Sequence, residues 1–254
     1  MMIREADIAR ETNVDKTGLA LSVTDSGDVN SLAQYLIFET SNNFRREDTK
    51  APLELRIKKL AREIADRKKA VVLIRDGDKI IGSTTVSDLL PDSKEAWADG
   101  TLVDPSYRGR GIGLQLALAQ EKIARSAGRE SIATIVAVDN MPSIALRLKA
   151  GYILNGINRW KSEAGYKFRK DLTASSGEAA VNWVDKVLTG GIGIIEKIDQ
   201  QNTQKEILVP ADDPDVVNKI IAKGYRGVYL LMPENFRNEK EQPINKNCIV
   251  FVKD

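Results

Sequence analysis

The residues of this chain that could do chemistry gather in one stretch. From Val103 to Leu114 the sequence reads V-D-P-S-Y-R-G-R-G-I-G-L, with Arg108 and Arg110 threaded among Gly109, Gly111 and Gly113. Arg carries a fixed charge on a planar fork of donors that matches phosphate oxygens. Glycine lets a backbone reach contact distance with an anion, because no Cβ intervenes. The chain has no His and a single Cys, Cys248. That removes Ser-His and Cys-His nucleophile pairs and the commonest zinc ligand, so no metal is expected. Proton transfer would fall to carboxylates, Tyr, Lys, backbone or water.

Such groups need elements to position them. The apolar pair Leu102–Val103 ahead of Asp104-Pro105 reads as a strand ending in a turn, and L-Q-L-A-L-A-Q-E-K-I-A-R-S-A-G behind the glycines reads as a helix stopped at Gly128. Strand, glycine turn and helix N-terminus in that order make an anion site. The first amides of a helix have no internal partner and sit at the positive end of its dipole. A P-loop would need Gly-Lys-Ser/Thr, and Ile112-Gly113-Leu114 supplies none of it. The dinucleotide fingerprint G-x-G-x-x-G also fails, since the glycines fall at 109, 111 and 113. What remains is Arg108-x-x-Gly111-x-Gly113, or a glycine-rich turn without a ligand.

The remaining elements follow from periodicity and punctuation. Leu19 to Thr24 reads as a first strand, and Asp25 to Asp28 as a turn with an N-cap. Val29, Leu32, Ala33, Leu36 and Ile37 keep helical spacing, and Thr40 to Thr49 reads as a loop. Pro52 opens a second helix through Leu53, Ile57, Leu60, Ala61 and Ile64. Asp76-Gly77-Asp78 joins Val71–Arg75 and Lys79–Val86 in a hairpin. Ala96 to Val103 is the strand entering the glycine turn. Ser131 to Val138, apolar on both faces, is a central strand. Pro142 starts a helix stopped at Gly151, and Tyr152–Trp160 and Gly165–Leu172 are strands. Strand alternation would put Asp99 and Leu102 on opposite faces.

The loop spacing, its V-x-P-x-Y-R-G lead-in and the β-α-α-β-β-β-α-β-α-β-β order resemble the GNAT-type N-acetyltransferase superfamily over about residues 20–172. A second string, Asn140-x-x-Ser143-x-x-Leu146 followed by Gly151-Tyr152, is similar to that family's N-x-x-A-x-x-L-Y-x-x-x-G-F. The resemblance implies an α/β (α+β) fold with a mixed, mostly antiparallel central sheet flanked by helices. It implies acetyl-CoA as cosubstrate, lying between the strand at Leu102–Val103 and the strand at Ile132–Val138. Leu102 and Val103 would bond the pantetheine arm. Arg108, Gly109, Arg110, Gly111, Ile112 and Gly113 would hold the pyrophosphate, and Asn140, Ser143 and Arg147 would line the arm. The activity implied is N-acetylation of a primary amine by direct attack, with Asp99 or Glu95 as base. Arg147 stands where many members carry a Tyr thought to protonate the leaving thiolate. Arg is a poor proton donor, so a non-catalytic acyl-CoA-binding or scaffold role stays open beside the transferase reading.

The division expected is an arm at 1–19, the GNAT-like domain at 20–172 and a small C-terminal α/β unit at 173–254. Within the last, Ala179 to Leu188 reads as a helix, Gly190-Gly191-Ile192-Gly193 as its stop and Ile192 to Ile198 as a strand. Ile135–Tyr152 can be laid on Leu208–Tyr225, matching Asp139 with Asp212 and Gly151-Tyr152 with Gly224-Tyr225. Phe168-Arg169-Lys170-Asp171 resembles Phe251-Val252-Lys253-Asp254. The C-terminal unit thus reads as a degenerate half of the same fold, or as a chance likeness. A net charge of +2 over 254 residues argues against nucleic acid as partner. No run approaches the ~18 apolar residues of a membrane helix. The single Cys and the charged N-terminus suggest the cytoplasm. The partner expected is an amine-bearing small molecule or protein, and a homodimer stays open.

Overall fold

The computed structural model describes residues 19–42, 51–160, 163–173, 193–194, 205–235 and 244–253. It is a mixed α/β fold whose strand pairings are mostly antiparallel. Its contacts separate two compact units, Met1–Ala133 with Asp171–Thr173, and Thr134–Lys170 with Ala174–Asp254.

In the first unit β1 (Ala20–Val23), β2 (Lys69–Asp76), β3 (Lys79–Ser87) and β4 (Glu95–Val103) lie side by side in chain order, each antiparallel to the last. β4 then pairs in parallel with the start of β5 (Ser131–Ala137), Glu95, Ala96 and Trp97 lying opposite Ser131, Ile132 and Ala133. The β2–β3 hairpin turns on Gly77, whose φ of +56° suits glycine.

Helix α1 (Val29–Asn42) starts behind Asp28, whose carboxylate accepts from the Ser31 amide at 2.9 Å. It runs three residues, Thr40 to Asn42, into the stretch expected as loop. Thr40 Oγ1 and Asn42 Nδ2 donate to the carbonyls of Leu36 and Phe38, four residues back, and so seat polar side chains on the last turn. Helix α2 (Leu53–Ala65) follows Pro52 as expected. Leu32, Tyr35 and Leu36 from α1 and Leu60 from α2 pack on Val71, Leu73 and Ile80. Helix α3 (Ile112–Ser126) packs on β3 and β4, burying Leu116, Ala117, Ala119, Ile123 and Ala124. The approach is close because residue 82 is glycine. A Cβ there would stand 3.0 Å from Ile112 Cγ2 and 3.2 Å from Leu116 Cδ1.

In the second unit the order across the sheet runs from β5 through β7 (Glu163–Asp171), β6 (Ile153–Trp160), β10 (Arg226–Leu231), β11 (Cys248–Val252) and β9 (Glu206–Pro210) to β8 (Gly193–Ile194). Helices α4 (Met141–Lys149) and α5 (Pro214–Ala222) complete it. Tyr152, Leu154, Tyr166 and Phe168 are buried in one part of this unit, and Leu208, Leu231, Ile244, Cys248 and Val250 in another. Cys248 is therefore a core residue, as its place in an apolar strand suggests. Of the strand expected at 192–198, Gly193 and Ile194 are described and pair with β9. The arm through residue 18, the helix expected at 179–188 and Gly190-Gly191 lie outside the described residues.

Candidate functional site

The glycine turn is built in three steps. Asp104 ends β4 and accepts from the Ser106 amide at 2.9 Å and the Ser106 hydroxyl at 2.6 Å, folding Pro105–Tyr107 into one 3-10 turn. Gly109 follows at φ +77° and Gly111 at φ +79°. Both values lie in the left-handed region, which costs a non-glycine residue about 1–2 kcal/mol. Gly111 is also the N-cap of α3. A Cβ built at Gly109 or Gly111 would meet no atom within 4 Å. The glycines are thus not forced by crowding from the protein; the space over them is open to a ligand. Among the described hydrogen bonds, none comes from the backbone amides of Gly109 to Gly113, while Leu114 and Gln115 donate back to the Gly111 carbonyl. Five amides at the positive end of a fifteen-residue helix are left to an anion.

A surface brace holds this turn to the β2–β3 hairpin. Lys79 Nζ lies 2.8 Å from Asp104 Oδ2, and the Tyr107 hydroxyl donates to Asp76 Oδ2 at 2.8 Å. The Tyr107 ring has Lys79 Nζ at 5.2 Å and the Arg110 guanidinium at 4.9 Å from its centroid. Arg108 Nε donates to the Val103 carbonyl at 3.3 Å, and Arg110 donates to the Ser106 carbonyl at 3.3 Å. The Lys79 ammonium, with Ser106, holds the Asp104 carboxyl at about 2. Asp104 raises the Lys79 ammonium in turn. Arg108 and Arg110 are exposed, and their bonds to carbonyls orient them without neutralising them, whereas the Lys79 charge is met by Asp104.

Behind the turn, β4 carries a bulge that alternation alone does not show. Asp99 pairs with Thr85 and Leu102 with Ser83, so Gly100 and Thr101 together oppose Thr84. Gly100, at φ +52°, takes up the extra residue. The bulge corrects the expectation of opposite faces: residues directly across an antiparallel pair share a face, so Asp99 and Leu102 lie on the same one. Gln120 of α3, fully buried, stitches the bulge from behind. Its Nε2 donates to Thr84 Oγ1 at 2.6 Å, to the Thr85 carbonyl at 2.9 Å and to the Asp99 carbonyl at 3.2 Å. Thr84 Oγ1 in turn lies 2.9 Å from Thr101 Oγ1. Sequence reasoning passed over Gln120 because a Gln inside a helix reads as solvent-facing. Its signal is position: it falls on the buried stripe with Leu116, Ala117, Ile123 and Ala124.

The face of β4 away from α3 carries the carboxylates. Ala96 and Ala98 are buried, while Glu95, Trp97 and Asp99 alternate on the other side. Glu95 Oε2 accepts from Ser131 Oγ and Asp99 Oδ2 from Ser87 Oγ, each at 3.1 Å. A third carboxylate, Glu39 of α1, comes to the bulge and was not singled out from sequence. It is 2% exposed, accepts from the Tyr35 hydroxyl at 3.0 Å and lies 3.7 Å from Arg56 Nη2. Its Oε1 is 3.9 Å from the Cβ position of Gly100. Its signal is again phase, since Leu32, Tyr35, Leu36 and Glu39 form one helical stripe. Arg129 fastens the loop before β4 by donating to the Leu90 and Ser93 carbonyls.

The first unit therefore carries Glu95 at the start of β4, Asp99 in its middle, and Leu102 and Val103 at the end that leads into the Arg108–Gly113 turn. The second unit holds Asn140, Ser143 and Arg147. Asn140 caps α4, its side chain accepting from the Ser143 amide at 3.3 Å. Arg147 is 2% exposed, with its guanidinium 5.3 Å from the Tyr152 ring centroid. No group of three or more metal-ligating side chains occurs among the described residues.

Residues 32–152 match the family model described as Acetyltransferase (GNAT) family. Among solved structures, a chimeric Vibrio cholerae spermidine N-acetyltransferase is 15% identical with a TM-score of 0.51, covering 61% of this chain and 96% of its own. Glutamate-to-glutamine forms of the Vibrio cholerae spermidine/spermine N-acetyltransferase are 14% identical with a TM-score of 0.51, covering 62% and 95%. A putative acetyltransferase from Salmonella typhimurium, solved with acetyl-CoA, is 15% identical with a TM-score of 0.49, covering 64% and 99%. At these identities the two Vibrio cholerae structures, each with a TM-score of 0.51, show a shared fold. None of the curated proteins matches the sequence.

Proposed function

With residues 32–152 a domain of the GNAT acetyltransferase family, we propose that this chain moves the acetyl group of acetyl-CoA onto a primary amine. The observation that carries the reading is the turn at Gly109–Gly113: five amides without a described partner and open space where two Cβ atoms would stand. Those amides would take the pyrophosphate, with Arg108 and Arg110 adding charge around it. Ile112, buried against Gly82, fixes where α3 begins and so where its amides point.

The amine must lose a proton to become a nucleophile. Asp99, Glu95 and Glu39 lie on the face of β4 away from α3 or beside its bulge, and that is where a cationic acceptor would be drawn and deprotonated, directly or through one water. The nitrogen then forms its bond to the acetyl carbon as the carbon–sulfur bond breaks. Sulfur leaves with the electron pair, the nitrogen sheds its second proton to water and the thiolate takes one up from it, and backbone amides near Val103 would stabilise the charge on the carbonyl oxygen. Asn140 and Ser143, at the start of α4, are proposed for the pantetheine arm. Arg147 can stabilise a departing thiolate by charge but cannot protonate it. Its burial against Tyr152 favours a second reading, in which the protein binds acyl-CoA without turning it over.

Calorimetric titration with acetyl-CoA, followed by thiol release on a panel of primary amines, tests both readings. Binding with thiol release supports the transferase. Binding without release on any amine supports the non-catalytic reading. Gly111→Val should abolish binding, and undiminished binding by that variant would place the cofactor elsewhere.

A further inference from the structure

The second unit contains the same construction twice. Shifted by 73 positions, α4 (Met141–Lys149) becomes α5 (Pro214–Ala222), and the first residue of β6, Ile153, becomes the first of β10, Arg226. The last residue of β5, Ala137, becomes the last of β9, Pro210. Local details travel with the shift. Asn140 and Asp213 are both N-caps, and each side chain accepts from the amide three residues on, Ser143 at 3.3 Å and Val216 at 3.0 Å. Gly151 at φ +82° becomes Gly224 at φ +88°, and the buried Tyr152 becomes the buried Tyr225.

The strand pairing repeats as well. In the first copy Ile153 pairs with Arg169 and Leu154 with Phe168, then a bulge precedes Gly156 opposite Lys167. In the second, Arg226 pairs with Val252 and Gly227 with Phe251, then a bulge precedes Tyr229 opposite Val250. The bulge falls at the same place. Lys170 and Lys253, one residue beyond those pairs, each lay the side chain over the left-handed glycine of their own copy, with Cε 3.5 Å from the Cβ position of Gly151 and 3.7 Å from that of Gly224. Two unrelated strand–helix–strand–strand units would share an order of elements; they would not share a cap, a turn, a bulge and a lysine in register.

The copies meet about a twofold relation. The order β5-β7-β6-β10-β11-β9 reads the same from either end once each strand is exchanged for its copy. β6 and β10 pair antiparallel at Leu154 and Gly227, which are each other's equivalents, as residues on a twofold axis must be. The helices cross over reciprocally: α4 packs on β10 and α5 on β6. Arg159 of β6 is ion-paired with Asp215 of α5.

We infer that residues 206–252 are a second, reduced copy of the β5–α4–β6–β7 unit that stands where a second subunit would otherwise add its β6, so that the chain is its own partner and works as a monomer. The axis itself favours this pairing over one between two chains. A Cβ at Gly227 would lie 3.0 Å from Leu154 Cβ and 3.0 Å from Ile249 Cγ2. Two β6 strands would bring Leu154 against Leu154 at that spacing, and glycine on one side removes the clash. The copy has lost what a second site would need. Ile220 replaces Arg147, and only the eleven residues 195–205 separate β8 from β9, fewer than the fifteen of α3 alone.

Sedimentation of the full chain over about a hundredfold range of concentration should give one species of 28.1 kDa. A species of twice that mass would overturn the inference. Gly227→Leu restores the first copy's residue at the axis. It should lower the melting temperature by about five degrees or more and make the mass rise with concentration, as the released β6 edge takes another chain. Unchanged melting and mass would overturn the inference, and so would a variant that melts lower yet stays monomeric. Should that variant fail to fold, hydrogen exchange on the native chain decides. The amides around Leu154 and Gly227 should be protected alike, and rapid exchange of β10 beside a protected β6 would count against a partner role.

Discussion

Gln120 is the residue on which the geometry of the site is most exposed to test. Its amide nitrogen serves three oxygens at 2.6 to 3.2 Å around the β4 bulge, and the side chain is fully buried. Gln120→Leu keeps the approximate volume and removes the donor. The Asp99 carbonyl still has Thr84 Oγ1 at 3.1 Å, but the Thr85 carbonyl loses its side-chain donor. A buried acceptor left without its bond costs about 1–3 kcal/mol, and each net hydrogen bond lost about 1 kcal/mol more. Leucine recovers roughly 1 kcal/mol by burying apolar surface in place of an amide. The balance is a loss of about 1–3 kcal/mol, which lowers the melting temperature by about 2–12 °C for a domain of this size. Gln120→Glu should be worse, because it aims an oxygen at three oxygens and buries a charge. The same change loosens the bulge that sets the direction of Leu102 and Val103, so acetyl-CoA affinity should fall about tenfold or more, equivalent to about 1.4 kcal/mol. Differential scanning calorimetry and titration calorimetry on the two variants measure both effects. A Gln120→Leu protein that melts within a degree of the native chain and binds as tightly would refute the claim that this amide holds the site.

Other consequences are smaller and can be read separately. The Asp104 carboxyl is depressed to about 2 in the folded chain, so its contribution to stability is complete above its unfolded value of about 4 and is lost as pH falls towards 2. The melting difference between native chain and Asp104→Asn should therefore be flat near neutrality and vanish in strong acid; a difference that grows on acidification would reverse the sign argued here. Tyr166 is pushed up chiefly by burial, then by Asp213 and Asp212, and donates to the Ala211 carbonyl at 2.8 Å. Its stabilisation is complete below the unfolded value of about 10 and declines as pH rises above it; it should ionise only as the second unit opens, and Tyr166→Phe should lower the amplitude of that step in the alkaline absorbance titration. Tyr107→Phe gives up one exposed bond to Asp76 but keeps the ring between Lys79 and Arg110, so acetyl-CoA affinity should change by less than about threefold, whereas Tyr107→Ala should weaken it by more, measured by the same titration.

What was legible in the sequence follows from how local each signal is. The Arg108-x-x-Gly111-x-Gly113 turn could be read because two of its glycines are required by the conformation of each residue alone: φ at Gly109 and Gly111 is positive. The hairpin at Gly77, the helix behind Pro52 and the stop at Gly128 are likewise matters of a few adjacent residues. The end of α1 was read short because polar Thr40 and Asn42 look like loop residues until their bonds to carbonyls four residues back are known. The bulge at Gly100–Thr101 was invisible because it belongs to two strands at once. It shows only when Asp99 is set against Thr85 and Leu102 against Ser83. Missing it inverted the facing of Leu102 relative to Asp99, since one extra residue in a period-two pattern exchanges the faces of everything beyond it.

Glu39 and Gln120 illustrate a second kind of blindness. Each is a polar residue on an otherwise apolar stripe, and a stripe is usually read by its apolar members. A carboxylate at 2% exposure and an amide at zero are retained in a core only when their partners are supplied by other elements. For Gln120 the partners are the β3 and β4 oxygens at the bulge; for Glu39 they include Tyr35 one turn back and Arg56 from α2. Both point at the same stretch of β4, one from each side of the sheet. That convergence ties the fold to the proposed chemistry: a strand interrupted by a bulge needs donors behind it to satisfy its carbonyls, and the face that Asp99 shares with Leu102 beyond it is where the proposed amine acceptor would be received. The polar residues out of place on α1 and α3 are therefore a better guide to the proposed acceptor side than the exposed charges of the surface.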